Sequence, residues 1–516
     1  MARIIGTETE YGISTPTDPG FSPIVSSTHA VVAYAALYTG ARSRWDYAEE
    51  HPLRDSRGFD LKRYKTVPVV DPNAIGVANV VTSSGARFYV DHAHPEYSSP
   101  ECSNAFDAML YDVAGDVVAR QAAAAVAELS AQNTSVLSHH EPCPPLRLYK
   151  NNVDGKGASY GSHENYQYHR STDFEDIAQG LIPFFVARQV ITGAGRVGLG
   201  QDGSGAGFQI SQRADYIEQE VSLETTLNRG IINTRDEPHA VARDFGRLHV
   251  IIGDANMSHT SNFLKLGMTS LVLDAIESGV DFSDLRLVDA VAEVSRVSHD
   301  VDLHHRLELR DGRRLSALEL LGEYRSRLTA VTEVEKQVLE SWDEVTALLA
   351  KDPLSAAHLL DWVAKYRLIR GYLDRGLAIT DPKLALVDLQ YADIDPHKSL
   401  YHALVRSGRM RELVNQAEID AAATMPPRDT RAYFRGEVTR AFAEQLLAVS
   451  WQSLTFSLPG GEATIALDDT HELTEKQVGE ILARSANAEQ LLSNLQQLGI
   501  EAEYSKPQAI TALSKP

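Results

Sequence analysis

Two glutamates in Gly6-Thr7-Glu8-Thr9-Glu10-Tyr11-Gly12 are the first residues of this chain whose spacing suggests chemistry. On a strand, positions i and i+2 share a face, so Glu8 and Glu10 project together. Neighbouring carboxylates repel unless a cation lies between them, and hard oxygen ligands suit Mg²⁺ or Mn²⁺. Taken alone, the segment reads equally well as a solvated strand face.

A second acidic cluster runs Tyr89-Val90-Asp91-His92-Ala93-His94-Pro95-Glu96. Tyr89 and Asp91 share one strand face, and Pro95 ends regular pairing, so that Glu96 turns back toward them. Such a strand end offers one carboxylate to a metal and leaves another free as base or nucleophile. An ordinary capped strand terminus fits this stretch as well. A third cluster, Lys156 to Tyr166, sets His163 among glycines that allow close backbone approach. A fourth extends from Arg213 through Arg235, Glu237 and His239 to His249, and its arginines suit forked recognition of phosphate or carboxylate. Two other patterns lack their structural context. Gly193-Ala-Gly195-Arg-Val-Gly198 follows a helix instead of opening one, and Gly157-Ala-Ser159-Tyr-Gly161 lies in a polar run, not at a strand-to-helix elbow.

Positioning these residues requires strands at about 3–15, 86–91, 145–170 and around Leu248, with helices at about 28–39, 103–131 and 262–278. Helical periodicity then continues over 315–376, broken only at Asp352-Pro353. Residues 41–80 crowd charges with little periodicity and read as a long, exposed, mobile loop, a kind of segment that is often functional. After Pro426-Pro427 a smaller unit begins, with a strand at 454–458, a turn at 459–461, another strand and a helix at about 474–496, which places a boundary near residue 430.

Composition narrows the classes. With 516 residues, 43% hydrophobic and 23% charged, the chain is a folded protein with ample core. A net charge of -21 argues against a nucleic-acid or anionic-membrane partner, and two cysteines, Cys102 and Cys143, offer no disulfide framework. No run approaches a transmembrane span and no signal-peptide core stands at the N-terminus, so a cytoplasmic protein is expected.

Read together, the runs at 6–12, 89–97, 151–166 and 231–239, supported by Leu360-Asp-Trp-Val-Ala-Lys365, Val387-Asp-Leu-Gln-Tyr391 and Thr430-Arg-Ala-Tyr-Phe-Arg-Gly436, closely resemble the Pup ligases and Pup deamidases/depupylases. The resemblance implies an α+β fold related to glutamine synthetase and the carboxylate-amine ligases. A catalytic domain over 1–430 would carry a curved antiparallel sheet, and a small C-terminal α/β domain would cover 431–516. It implies ATP and Mg²⁺ as cofactors, with Glu8, Glu10, Glu96, His163 and His249 at the metal and Tyr89 beside it. Arg213, Arg235 and Arg435 would face phosphates, and Asp91 matches the family's essential aspartate, as nucleophile or as general base. The 41–80 insertion, with Trp45, Asp46, Tyr47, Arg54, Asp55 and Arg57 gating the groove, resembles the deamidase/depupylase branch. Hydrolysis of the Pup C-terminal amide and of Pup–lysine isopeptide bonds is therefore expected; the alternative is a ligase joining the Pup C-terminal Glu to lysines. Partners would be Pup and pupylated proteins, and the expected state is a monomer. Pup modifiers are acidic, so binding one calls for a local basic groove that the net charge conceals.

Overall fold

The computed structural model describes residues 2–39, 43–47, 50, 54–57 and 75–505. An eight-stranded sheet forms its centre: β1 (Ile5–Glu10), β2 (Asn79–Val81), β3 (Arg87–Asp91), β4 (His94–Ser98), β5 (Ser162–His169), β6 (Ile217–Ser222), β7 (Arg229–Asn233) and β8 (Phe245–Val250). The spatial order is β6-β7-β8-β5-β1-β4-β3-β2, antiparallel except for the parallel edge pair β6–β7. With helices packed against this sheet, the fold is α+β, as expected.

Strand alternation divides the sheet into two chemically different faces. One carries Ile5, Phe88, Val90, Tyr97, Tyr166, Leu248 and Val250, all buried beneath the helices α2 (Ala105–Ala131), α3 (Phe174–Thr192) and α4 (His259–Glu277). Each of these helices starts on a side chain that caps a free backbone amide: Asn104, Asp173 and Ser258. Gly115 lets α2 approach closely, since a Cβ there would stand 2.5 Å from the Tyr97 ring. A buried polar seam fixes β1 to α2. Thr9 donates to Asp112 at 3.0 Å, Tyr11 to Asp116 at 2.7 Å, and Lys150 bridges both aspartates from 2.8 Å and 3.2 Å. The strand that carries Glu8 and Glu10 is thus pinned from behind by groups whose breakage would leave buried charges unpaired.

A second hydrophobic cluster runs from Phe434 to Leu495 and takes in Trp45 and Val81. Its sheet consists of Leu446–Val449, Ser453–Leu458, Gly461–Ala466 and Glu503–Ser505, with Arg44–Trp45 paired in parallel against Ala448 and Val449 at one edge.

Several expectations change. The described ends of the 41–80 insertion are not wholly exposed or irregular: Trp45 and Asp55 are buried, although Arg44, Arg57 and Ile75 are exposed, and Asn79–Val81 is a strand of the main sheet. Residues 40–42, 48–49, 51–53 and 58–74 lie outside the described residues. The helical stretch 315–376 has a second break at 327–332, because Thr332 and Glu335 form a capping box that starts a new helix at Glu333. Likewise 474–496 is two helices, parted where Asn487 caps the second. Among the described residues no helix is long and apolar enough to cross a membrane.

Candidate active site

The second face of the sheet is polar, and strand register decides which residues meet. Glu8 lies opposite His163 on β5 and Ser98 on β4, Glu10 opposite Glu96, Glu96 opposite Tyr89, and His249 opposite Asn165. Residues from 8 to 249 therefore share one surface because they sit at facing positions on five neighbouring strands.

At its centre Glu8, His163 and His249 bring one donor atom each within 4.8 Å of the others. His163 Nδ1 lies 3.1 Å from Glu8 Oε2, and Asn165 donates to Glu8 Oε1 at 3.0 Å. His249 turns Nδ1 to Asn165 Oδ1 at 2.8 Å, which leaves its buried Nε2 without a protein partner. Burial, with the Arg247 and His163 charges, holds His249 well below its ordinary pKa, so the imidazole is neutral and free to ligate. Burial would raise Glu8, but the His163 hydrogen bond and the charges of His249, His163 and Arg247 outweigh it and keep the carboxyl well below its usual range. One carboxylate and two imidazoles, one of them with an orphaned nitrogen, fit a divalent cation.

One row along, Glu10 accepts from the Gly161 amide at 2.5 Å and stands 3.1 Å from His94 Nδ1. The His94 ring stacks on Tyr160 at 4.2 Å. Gly161 has to lack a side chain, since a Cβ would come within 2.4 Å of His163 Nε2 and 2.7 Å of Glu10 Oε1. Glu96 is buried among like charges; burial first, then Asp91, Glu10 and Glu8, push its pKa well up. A cation beside it would reverse that balance. The Tyr89 phenol is also pushed well up, by burial and by the Glu96 and Glu8 charges.

Asp91 ends β3 and is the accessible carboxylate of the group, with 40% of its side chain exposed and His92 Nδ1 3.0 Å away. Burial opposes ionisation, yet the His92 hydrogen bond and the His92 and His163 charges lower its pKa, so it is an anion at neutral pH. Asp91 pairs with His94 across a two-residue turn in which His92 adopts φ 52°, a left-handed conformation that costs a non-glycine residue energy.

The arginines divide. Arg235, two residues past the end of β7, has no hydrogen-bond partner for its Nε. Arg213 is buried and donates to the Tyr160 carbonyl, holding the 150–161 loop, while burial lowers its pKa to about 10. Arg435 is committed elsewhere: it grips Glu101, donates to the Gly85 carbonyl at 2.9 Å and lies over the Trp451 ring at 4.7 Å. Of the insertion residues, Asp46 donates its amide to the Val449 carbonyl at 2.8 Å, and Asp55 accepts from Thr234 at 2.8 Å and pairs with Arg57. Arg54 stands 3.8 Å from Asp236. Tyr47 receives a hydrogen bond from Asn79 at 2.7 Å. Among the described residues the insertion is therefore fastened by Trp45 to the C-terminal sheet and by Arg54–Arg57 to residues 234–236.

Sequence reading overlooked Arg247, which stands 3.8 Å from Glu8 Oε1. The available signal was its i−2 spacing from His249, the same alternation that pairs Glu8 with Glu10. It also missed Asn165, and the cleft of about 590 Å³ lined by Glu8, Ser98, Asn165, Arg247, His239 and Trp451, where the C-terminal unit meets the sheet.

Carboxylates and histidines with shifted pKa values, gathered beside a cleft on one sheet face, are the marks of an enzyme acting on charged substrates. The chain belongs to the Pup-ligase protein family, which matches residues 3–455. It is 50% identical over 508 residues, 96% of this chain and 100% of the relative, to a Pup deamidase/depupylase of Mycolicibacterium smegmatis. Among solved structures it resembles the ligase PafA in complex with the prokaryotic ubiquitin-like protein Pup, with a TM-score of 0.77 and 29% identity over 96% of this chain and 94% of the other. It also resembles PafA in complex with ADP, with a TM-score of 0.70 and 32% identity over 83% and 96%.

Proposed function

We propose that the protein is a Pup deamidase and depupylase: a hydrolase that removes ammonia from a C-terminal Gln of Pup and cleaves the isopeptide bond between Pup and a substrate lysine. The observation that carries this reading is Asp91, an accessible anion at the mouth of the cation-ligand cluster, on a chain sharing half its residues with a Pup deamidase/depupylase. The lower identity to the ligase structures and the insertion fastened between residues 44 and 57 support hydrolysis over ligation.

The cofactors are ATP and Mg²⁺. Glu8, His163 and His249 would hold the cation, with Glu10 and Glu96 adjacent, and Arg235 and Arg247 would face phosphates beside the cleft that Trp451 lines. When bound, the cation supplies positive charge that keeps the carboxylates ionised and draws an amide carbonyl toward them. Amide cleavage then needs a nucleophile at the carbonyl carbon and a proton for the departing nitrogen. Asp91 either attacks that carbon, forming an anhydride that water later opens, or takes a proton from an attacking water; both roles need the anion. Consumption of ATP is not required by this chemistry, because the bond being broken is the amide itself.

Purified protein with Mg-ATP is expected to release ammonia from Pup ending in Gln and free Pup from a Pup–protein conjugate. Intact amide and intact conjugate after prolonged incubation would overturn the reading. Joining of Pup ending in Glu to a lysine, with one ATP spent per bond, would establish the ligase instead. A single turnover in heavy-oxygen water that leaves label on the Asp91 carboxyl establishes direct attack, with water opening the anhydride at the Asp91 carbonyl, because activation of water by Asp91 puts label only on the Pup carboxyl.

A further inference from the structure

Arg87 has no part in the scheme above, yet it occupies a peculiar position. It starts β3, two residues before Tyr89 and four before Asp91, so all three share the polar face. Its guanidinium carbon lies 4.1 Å from the centroid of the Trp45 ring and 4.0 Å from that of Tyr89, so the cation packs against both an aromatic residue of the insertion and one of the sheet. The edge of the guanidinium is held too: Nε donates to Asn79 at 2.7 Å, and Nη1 lies 3.5 Å from Glu50, which also accepts from the Trp45 indole at 2.7 Å. The side chain is 9% exposed, and it reaches neither the cation cluster nor Asp91. Beyond Tyr89 the row continues to Glu96, its cross-strand neighbour.

We propose that Arg87 is a positioning residue: clamped between Trp45 and Tyr89, it transmits the seating of the insertion to the Tyr89–Glu96 pair and so sets the competence of the carboxylate row. Two rings packed against one planar cation are mutually dependent, because displacing either exposes the cation to water and weakens its attraction to the other. When Trp45 is paired to the C-terminal sheet, Tyr89 is held over the row; when Trp45 leaves, Arg87 loses one face of its clamp and Tyr89 its backing. Lysine keeps the charge but lacks the planar fork, so it cannot occupy both stacks.

This inference rests on the proposed hydrolase activity, and its test separates the two. Wild type, Trp45→Leu, Arg87→Lys and the double variant are compared for kcat and KM on a Pup conjugate, for Mg-ADP affinity by calorimetry, and for Tm. Each single change is expected to lower kcat about tenfold with KM close to wild type, Arg87→Lys also keeping its Tm, and the double variant to lose no more than about twofold beyond either. Multiplied losses in the double variant, or a Tm of Arg87→Lys that falls in step with kcat, would overturn the coupling. If wild type cleaves nothing, the activity is refuted, and the same four proteins still decide the coupling through Mg-ADP affinity. There the singles are expected to weaken binding non-additively; additive effects or none refute the role of Arg87.

Discussion

Replacing Glu101 with Gln probes the joint between the catalytic sheet and the C-terminal unit. Glu101 follows β4 and is gripped by Arg431 at 2.8 Å and by Arg435, both from the start of the helix Ala432–Ala441 and the residue before it. Burial alone would raise this carboxyl; the Arg435 and Arg431 charges and hydrogen bonds outweigh it and bring the pKa to about 2, against 4.5 for a free glutamate. That difference corresponds to about 3 kcal/mol. Because the folded-state pKa is depressed, the contribution is fully present above pH 4.5 and is lost as pH falls from 4.5 through 2. The stability gap between wild type and Glu101→Gln should thus be widest at pH 7 and shrink to roughly half by pH 3. For a chain of this length melting as one unit, 3 kcal/mol is a Tm difference of about 3 °C. Scanning calorimetry of both proteins from pH 7 to pH 3 reads it directly. An unchanged Tm at pH 7, or a gap of constant size down to pH 3, would refute the ion-pair reasoning. Arg435→Lys discriminates further: a junction role lowers Tm, whereas a phosphate-facing role would weaken Mg-ADP binding at constant Tm.

Three other outcomes follow from the site. Asp91→Asn should lower turnover by about 10³-fold or more while calorimetry shows nearly unchanged Mg-ATP affinity, and near wild-type cleavage would remove Asp91 from the chemistry. Glu8→Ala removes the only anion of the tight cluster and should weaken Mg-nucleotide binding by at least about tenfold, again by calorimetry; equal affinity would place the cation elsewhere. Gly161→Ala forces a methyl against His163 and Glu10 and should weaken Mg-nucleotide binding with little change in Tm, whereas unaltered affinity would show that the loop can yield.

How much of this was legible beforehand varies by residue. Glu8, Glu10, Tyr89 and Asp91 could be paired from the two-residue period, because a strand fixes which side chains share a face. The meeting of Glu8 with His163 and of Asn165 with His249 depends on register between strands distant in sequence, and no local pattern encodes register. The family resemblance brought those residues together, but it had no means of separating Arg235, with an unpartnered Nε, from Arg435, which is spent on Glu101. The seating of the described ends of the insertion was hidden for a related reason. Its charges look like a solvated loop until Trp45 is seen paired with Val449, and Asp55 with Thr234, contacts that composition cannot register.

The edge strand Arg44–Trp45 also has a consequence for how the molecule is made. Its partner Val449 follows Trp45 by about four hundred residues, so at roughly 5–20 residues per second the ribosome delivers the one some 20 to 80 s after the other. Through that interval a tryptophan destined for a buried cluster and a short strand with unpaired backbone groups must wait for the last part of the chain. Closing the C-terminal sheet therefore also brings Trp451 to the cleft, and the nascent chain gains its second core and one wall of that cleft in a single late event.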